Sequence, residues 1–361
     1  MAITYWLIFF FLILKSFSFS YEKTKIISLR QRQFNWIQFF FIFLAIIIGF
    51  RFQIGGDWHS YLFFNEYIAD KSLNTFLKIN FDFGYVFLNW IGANIFGGIY
   101  LVNFVSALIF LVGLISFALR QNNYWLALVV AFPYLIIVIS MGYSRQASAI
   151  GFILLAINQL KEANLIRFCF FIFLATLFHK TALLILPIGL MAILRNKSLL
   201  LITLFLLSFA VYFFADGFIL GLLNNYLVGD MQSSGAGVRL LLNFIPALFY
   251  LYFFRKFNFS DSEKKFWIYI SLMAVLIFIL NFMFPQSPAL DRVSLYFLPI
   301  QILVWSNLPF ILGPISNQSI IITICVSLLY LSILFVWINF ASHSSYWLPY
   351  QNFLWEFIWS S

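Results

Sequence analysis

The chain has 361 residues, 63% hydrophobic and 9% charged, against about 45–50% and about 25% in soluble domains. With a mean hydropathy of +0.98, this excludes a soluble enzyme, a disordered chain and a nucleic-acid-binding module. The net charge of +9 reads as basic residues on cytoplasmic loops, with no nucleic-acid partner.

What remains is an all-α, polytopic integral membrane protein. In chain order, apolar runs of spanning length fall near 2–20, 34–50, 98–119, 124–140, 145–160, 198–216, 238–254, 266–284, 293–312 and 318–340. The stretch 165–194 is also apolar, but Phe178-His179-Lys180-Thr181 interrupts it. It reads as one long helix or as two short arms meeting at His179. The excess of Lys and Arg on cytoplasmic loops favours two arms. With 21–33 inside, 14 of the 21 Lys and Arg are cytoplasmic and 8 of the 12 acids are outside. The expectation is about 12 transmembrane or half-membrane helices in a single transmembrane domain over 1–361, with both termini outside. The first span reads as uncleaved, because Lys15 follows the apolar run instead of preceding it. Outer loops fall near 51–97 and 217–237. Residues 341–361 carry Trp347, Tyr350, Trp355 and Trp359 and read as an amphipathic outer tail at the headgroup level. Cys169 and Cys325 lie in apolar runs and read as small buried hydrophobes.

The polar residues of the outer half need a reason to be there. Arg51 follows a span directly, and Asp57, His59, Tyr61 and Glu66 come after it. Asp82 opens the next apolar piece. Tyr143 and Arg145 lie between two spans, and His179 lies at the break. Arg239 begins a span after a Gly-rich loop, and Asp291-Arg292 begins another. Charge near membrane depth is costly and tends to face a polar cavity. A single Arg there reads as a snorkelling anchor. Four of them (Arg51, Arg145, Arg239, Arg292), each at the outer end of a different span, point to an outward-facing polar cavity for a diphosphate. Asp57, Glu66, Asp82, His179 and Asp291 are the acid/base candidates. Asp57 reads equally as an ion-pair partner of Arg51 that orders the loop. Tyr61, Tyr143 and Trp58 read as sugar-stacking groups or as interfacial aromatics. His59 and Asp57 are too few for a metal site, so no metal and no cofactor are expected. There is no phosphate loop, HExxH, Cys cluster or nucleophile elbow.

Five short motifs stand in order along residues 1–310. They are Phe50-Arg51-Phe52 through Gly55-Gly56-Asp57-Trp58 to Tyr61, then Asp82-Phe83-Gly84-Tyr85 with Leu88-Asn89. Ser144-Arg145-Gln146-Ala147, Phe178-His179-Lys180-Thr181-Ala182 and Asp291-Arg292 with Tyr296-Phe297 follow. In these the chain resembles the EpsG family of bacterial polysaccharide polymerases, related to the Wzy O-antigen polymerases. It departs in having Gly56 before the Asp, and in placing the acidic residue two positions ahead of Gly84. The resemblance implies a multi-pass protein of the bacterial plasma (inner) membrane. It would join repeat units carried on undecaprenyl diphosphate into O-antigen, capsule or exopolysaccharide on the outer face. Its partners would be that undecaprenyl-diphosphate-linked glycan, membrane lipid, and a flippase and chain-length regulator of the same export pathway. Arg145 and Arg292 would stabilise the leaving diphosphate, and His179 or Asp57 would be the general base. Arg51, Arg239, Tyr61, Glu66, Asp82, Tyr143 and Asp291 would bind substrate. A lipid-linked oligosaccharide flippase and a glycan ligase are the alternatives. The flippase predicts a second broken helix matching the one at His179, and the sequence has none.

Overall fold

The computed structural model of the chain describes residues 2–22, 29–72, 82–199, 201–203, 205, 235–285, 287–313 and 316–355. The described residues are helical apart from turns and one isolated antiparallel bridge between Arg51 and Asn352.

The helices are α1 (Ile3–Glu22), α2 (Leu29–Gly49), α3 (Trp58–Ile68), α4 (Phe83–Asn94), α5 (Gly98–Ala118), α6 (Tyr124–Gly142), α7 (Ser144–Asn158) and α8 (Leu165–Phe178). After them come α9 (Lys180–Ile193), α10 (Ala236–Phe253), α11 (Asp261–Met283), α12 (Pro288–Phe297), α13 (Pro299–Leu312) and α14 (Ser316–Phe340). Among the described residues, six helices are long and apolar enough to cross a membrane, or seven if the α12–α13 pair, bent by 42°, is one span. Among these residues, that count does not by itself confirm the expected total of about 12 transmembrane or half-membrane helices. Residues 35–49, 165–178 and 180–193 form apolar helices of 10–17 residues, and α7 has 15 residues. Most of the run at 198–216 and of the loop at 217–237 lies outside the described residues, as do 73–81 of the first outer loop.

Lipid as solvent explains the pattern on each helix. On α1 the exposed side chains are Ile3, Leu7, Phe10 and Leu14, while Tyr5, Phe9, Leu12 and Ser16 are buried. That is a helical stripe with its large apolar groups outward. Helix α14 does the same, with Ile321, Ile324, Leu328 and Phe335 outward and Ser319, Thr323 and Ser327 inward. Small polar residues inside and large apolar ones outside is the arrangement that packs helices in a bilayer. Cys325 falls on the outward face of α14, so its expected burial is corrected; Cys169 is half-buried.

The chain divides into two compact units. Unit 1 comprises residues 1–155, 171–182 and 305–361. Helix α6 is its centre, 94% buried, against 33% for α1 and for α14, both of which pack on it. Pro133 has no amide hydrogen to give the preceding turn, and Phe132–Ile139 winds as a π-helix. The helix then stops at Tyr143, whose φ and ψ are −132° and 67°. Asn123 caps the start of α6, accepting from the Leu126 amide at 2.9 Å and donating to Ser20 Oγ at 2.9 Å.

Unit 2 comprises residues 156–170 and 183–304, with α10 packed on α11 and α12. Helix α11 starts five residues before its apolar run because Ser260 and Glu263 form a capping box.

Candidate functional site

Asp82 is the hub of unit 1's polar cluster. It stands at the N-cap of α4, where Asp is favoured because it can accept from the helix's first amides. Its side chain makes no cap hydrogen bond. The carboxylate turns elsewhere: Oδ2 accepts from Arg145 at 3.0 Å and faces His179 Nδ1 at 3.5 Å, and Oδ1 accepts from the Lys180 amide at 3.1 Å.

Local sequence explains how three distant stretches meet on one carboxylate. Helix α8 ends at Phe178, and His179 and Lys180 turn into a 3₁₀ segment. The break at His179 read from the sequence is present. Glycine at position 84 lets α4 come this close to the end of α8 without crowding. A Cβ there would lie 3.1 Å from the Leu177 carbonyl oxygen and 3.1 Å from the Phe178 ring. The acidic-x-Gly spacing thus serves a close helix contact that brings Asp82 to His179. Arg145 is on the first turn of α7, just after the break at Tyr143.

Arg145 is further held by Tyr61, whose hydroxyl is its hydrogen-bond partner, and by the Tyr85 ring, 5.9 Å from its guanidinium carbon. Tyr61 therefore does not present a ring to a sugar. It is 6% exposed, packed 5.4 Å from Tyr85 in a core with Trp58, Leu88 and Val102. Burial, and then the Asp57 carboxylate, raise its phenol above the ordinary value, so it stays neutral. Burial also acts to raise the Asp82 carboxyl. The hydrogen bond and charge of His179, then Arg145 and the Lys180 amide, outweigh it and hold the group below its usual range. Asp82 is an anion at neutral pH. The Arg145 and His179 side chains keep 25% and 18% exposure, while Asp82 keeps 7%. The carboxylate is the buried end of the cluster, and the cation and imidazole are its accessible end.

Arg51 is different. It is 1% exposed, and donates to the Ile48 carbonyl at 2.7 Å, Asn103 Oδ1 at 2.8 Å and Ser144 Oγ at 2.8 Å. All are neutral, so the ion pair with Asp57 suggested by the sequence is not formed. Burial pushes Arg51 down to about 10, which leaves it charged at neutral pH. Asp57 stands at the start of α3, partly exposed, with Glu66 exposed further along that helix. Tyr143 is half-buried, 6.5 Å ring to ring from Trp347.

In unit 2, Arg239 grips Asp291 through both Nε and Nη2, each at 2.8 Å. The pair tops a buried polar ladder: Asn243 donates to the Ser294 carbonyl at 2.9 Å and accepts from Gln301 at 2.8 Å. Arg292, next to Asp291, is exposed. Arg239 and Asp291 are thus partners of one another.

Sequence reading missed the Lys180 amide, the Tyr85 ring, and the Asn103 and Ser144 partners of Arg51. Tyr85, Ser144 and Lys180 each stood inside one of the short motifs, whereas Asn103 carried no signal. Among the described residues, no group of three or more His, Cys, Asp or Glu is placed to hold a metal. A sequence model of the EpsG family matches residues 34–352. Comparison with curated proteins and with solved structures gives no match.

Proposed function

The chain belongs to the EpsG family, and from that premise we propose that it polymerises lipid-diphosphate-linked oligosaccharide repeat units into a surface polysaccharide. The membrane in question is the bacterial plasma membrane, and the reaction lies on its outer face. The observation that carries this reading is the shared carboxylate. Asp82 holds a cation, Arg145, and a base, His179, from stretches 63 and 97 residues away.

The reaction is a glycosyl transfer. An acceptor hydroxyl oxygen bonds to the anomeric carbon of the donor glycan. The bond from that carbon to the diphosphate oxygen breaks, and the lipid diphosphate leaves with the electron pair. Asp82 accepts from Nδ1–H of His179, so the imidazole offers Nε2 as the proton acceptor. The 3.5 Å contact is loose, as catalytic contacts often are before substrate binds. The acceptor's proton goes to Nε2. Arg145 places a fork of N–H donors beside the leaving diphosphate and stabilises its developing charge. Tyr61 and Asp82 fix the orientation of that fork. Arg292 is exposed in unit 2, and no step of this reaction is routed through it. Arg51 is assigned to structure, since it is buried and its two Nη groups are spent on neutral partners.

The test is deletion of the gene, with the surface glycan run on a gel. A ladder that collapses to a single repeat unit is the expected result. Loss of all glycan, with lipid-linked units held on the cytoplasmic face, would mean a flippase. Complementation with His179→Gln or Arg145→Ala is expected to leave short chains at normal protein level. Normal-length polymer from both would sink the residue assignments.

A further inference from the structure

The last described stretch of chain does more than close the fold. Three contacts tie it to the loop after α2. The Phe52 amide donates to the Gln351 carbonyl at 3.1 Å, the Phe353 amide to the Phe50 carbonyl at 2.8 Å, and the Gly55 amide to the Tyr346 carbonyl at 2.8 Å. Side chains add to them: the Tyr350 hydroxyl donates to the Ile47 carbonyl at 2.8 Å, and Phe353 stacks on Tyr100 at 4.3 Å. Residue 351 to residue 353 thus run beside Phe50 to Phe52 as a two-stranded patch in an otherwise helical unit.

The same stretch grips the α6–α7 break from a second side. Trp347 is 2% exposed. Its indole N–H donates to the Ile137 carbonyl inside the π-helical turn at 3.1 Å. Its ring covers Gly142 so closely that a Cβ there would lie 2.4 Å from it. The Trp347 carbonyl accepts from the buried Tyr5 hydroxyl at 3.0 Å. Gly55 sits on the same spot, at φ +105° and with a Cβ position 2.4 Å from the Met141 carbonyl oxygen.

Both lines end at Arg145. Gly142 is three residues before it. Arg51, whose backbone bridges Asn352, holds Ser144 by the side chain, one residue before it. Trp347 and Tyr350 are accordingly buried, while Tyr346 and Trp355 keep exposed faces. A headgroup-level tail describes only the outward side of this stretch.

We propose that residues 344–353 are a clamp that positions Arg145 for the transfer, with Trp347 and Arg51 as positioning residues. This rests on the reading that Arg145 acts in the reaction. A guanidinium displaced by about 1 Å from the developing charge loses on the order of a hundredfold in rate. Loosening one side of the clamp should shift it by less.

The experiment is a double-mutant cycle between Trp347 and Arg145, read as turnover per monodisperse protein in detergent. The probe is lipid-linked repeat units extracted from a strain deleted for this gene. Trp347→Ala is expected to lower kcat about tenfold with KM within about twofold. In an Arg145→Lys background the same change should lower it less than about twofold, because the group it positions is already compromised. Equal losses in both backgrounds overturn the clamp, as does a loss that falls on KM alone. If Trp347→Ala cannot be recovered folded, Trp347→Phe replaces it. That variant keeps a ring over Gly142 and removes the N–H to Ile137; a loss of about threefold is expected, again confined to the Arg145 background. Full turnover by Arg145→Lys would instead overturn the catalytic reading beneath the clamp.

Discussion

Replacing Asp82 by Asn keeps the shape of the side chain and removes its charge. At the 3.0 Å separation from Arg145, the attraction lost is gross about 5 kcal/mol at an effective dielectric of about 20. Much of this is offset because the neutral amide is cheaper to bury, and because Arg145 keeps a quarter of its side chain exposed. A net stability loss of about 1–3 kcal/mol follows, in the range of a hydrogen bond to a charged group. The larger effect is on catalysis. An amide at position 82 can turn its NH₂ to His179 Nδ1, which stabilises the tautomer with the proton already on Nε2. That tautomer cannot accept the acceptor sugar's proton. The expected loss in turnover is about 10²–10⁴-fold, with the Lys180 amide still satisfied by the amide oxygen. The assay is initial rate of chain extension on extracted lipid-linked units, at matched amounts of folded protein. Asp57→Asn is the control, with an expected change of less than about fivefold, since the Asp57 charge acts on the Tyr61 phenol and is not among the groups that hold the Asp82 carboxylate. Wild-type turnover by Asp82→Asn would refute the shared-carboxylate argument. An equal loss in Asp57→Asn would move the base to that residue.

Gly84→Ala puts a methyl against the Leu177 carbonyl and the Phe178 ring at 3.1 Å; a stability loss of about 1–3 kcal/mol is expected, with reduced turnover, measured by thermal unfolding beside the extension assay. Arg239→Gln breaks the two-pronged contact to Asp291 and should lower stability by about 1–3 kcal/mol; an unchanged melting curve would show the pair to be a spectator. The folded Asp82 carboxyl is held below its unfolded value, so its stabilisation is complete above the unfolded value of about 3.9 and fades as pH falls through the lower, folded one. The melting-temperature gap between wild type and Asp82→Asn should therefore be present at about pH 5 and close below about pH 4; a gap already closed at about pH 5 would contradict the depressed carboxyl.

Much of this protein is legible along the chain because its solvent is. Lipid contact demands helices with apolar outer faces, and that demand is met within some 20 residues, so α1, α5, α6, α10, α11 and α14 can each be read from the runs that form them. Helix ends were less legible: the capping box at Ser260 started α11 inside a charged stretch, and Pro133 wound part of α6 as a π-helix without interrupting its apolar run. The residues of the candidate site were also visible as types, since a charge beside an apolar span needs a reason. Their partners were not. An arginine next to a span looks the same whether it faces a neutral cage, as Arg51 does, or a carboxylate, as Arg145 and Arg239 do. Which it meets depends on helix contacts between stretches 50 to 100 residues apart. The role of Trp347 was hidden for the same reason. An interfacial aromatic and a buried brace have the same sequence, and only the packing of Gly142 beneath the indole ring separates them.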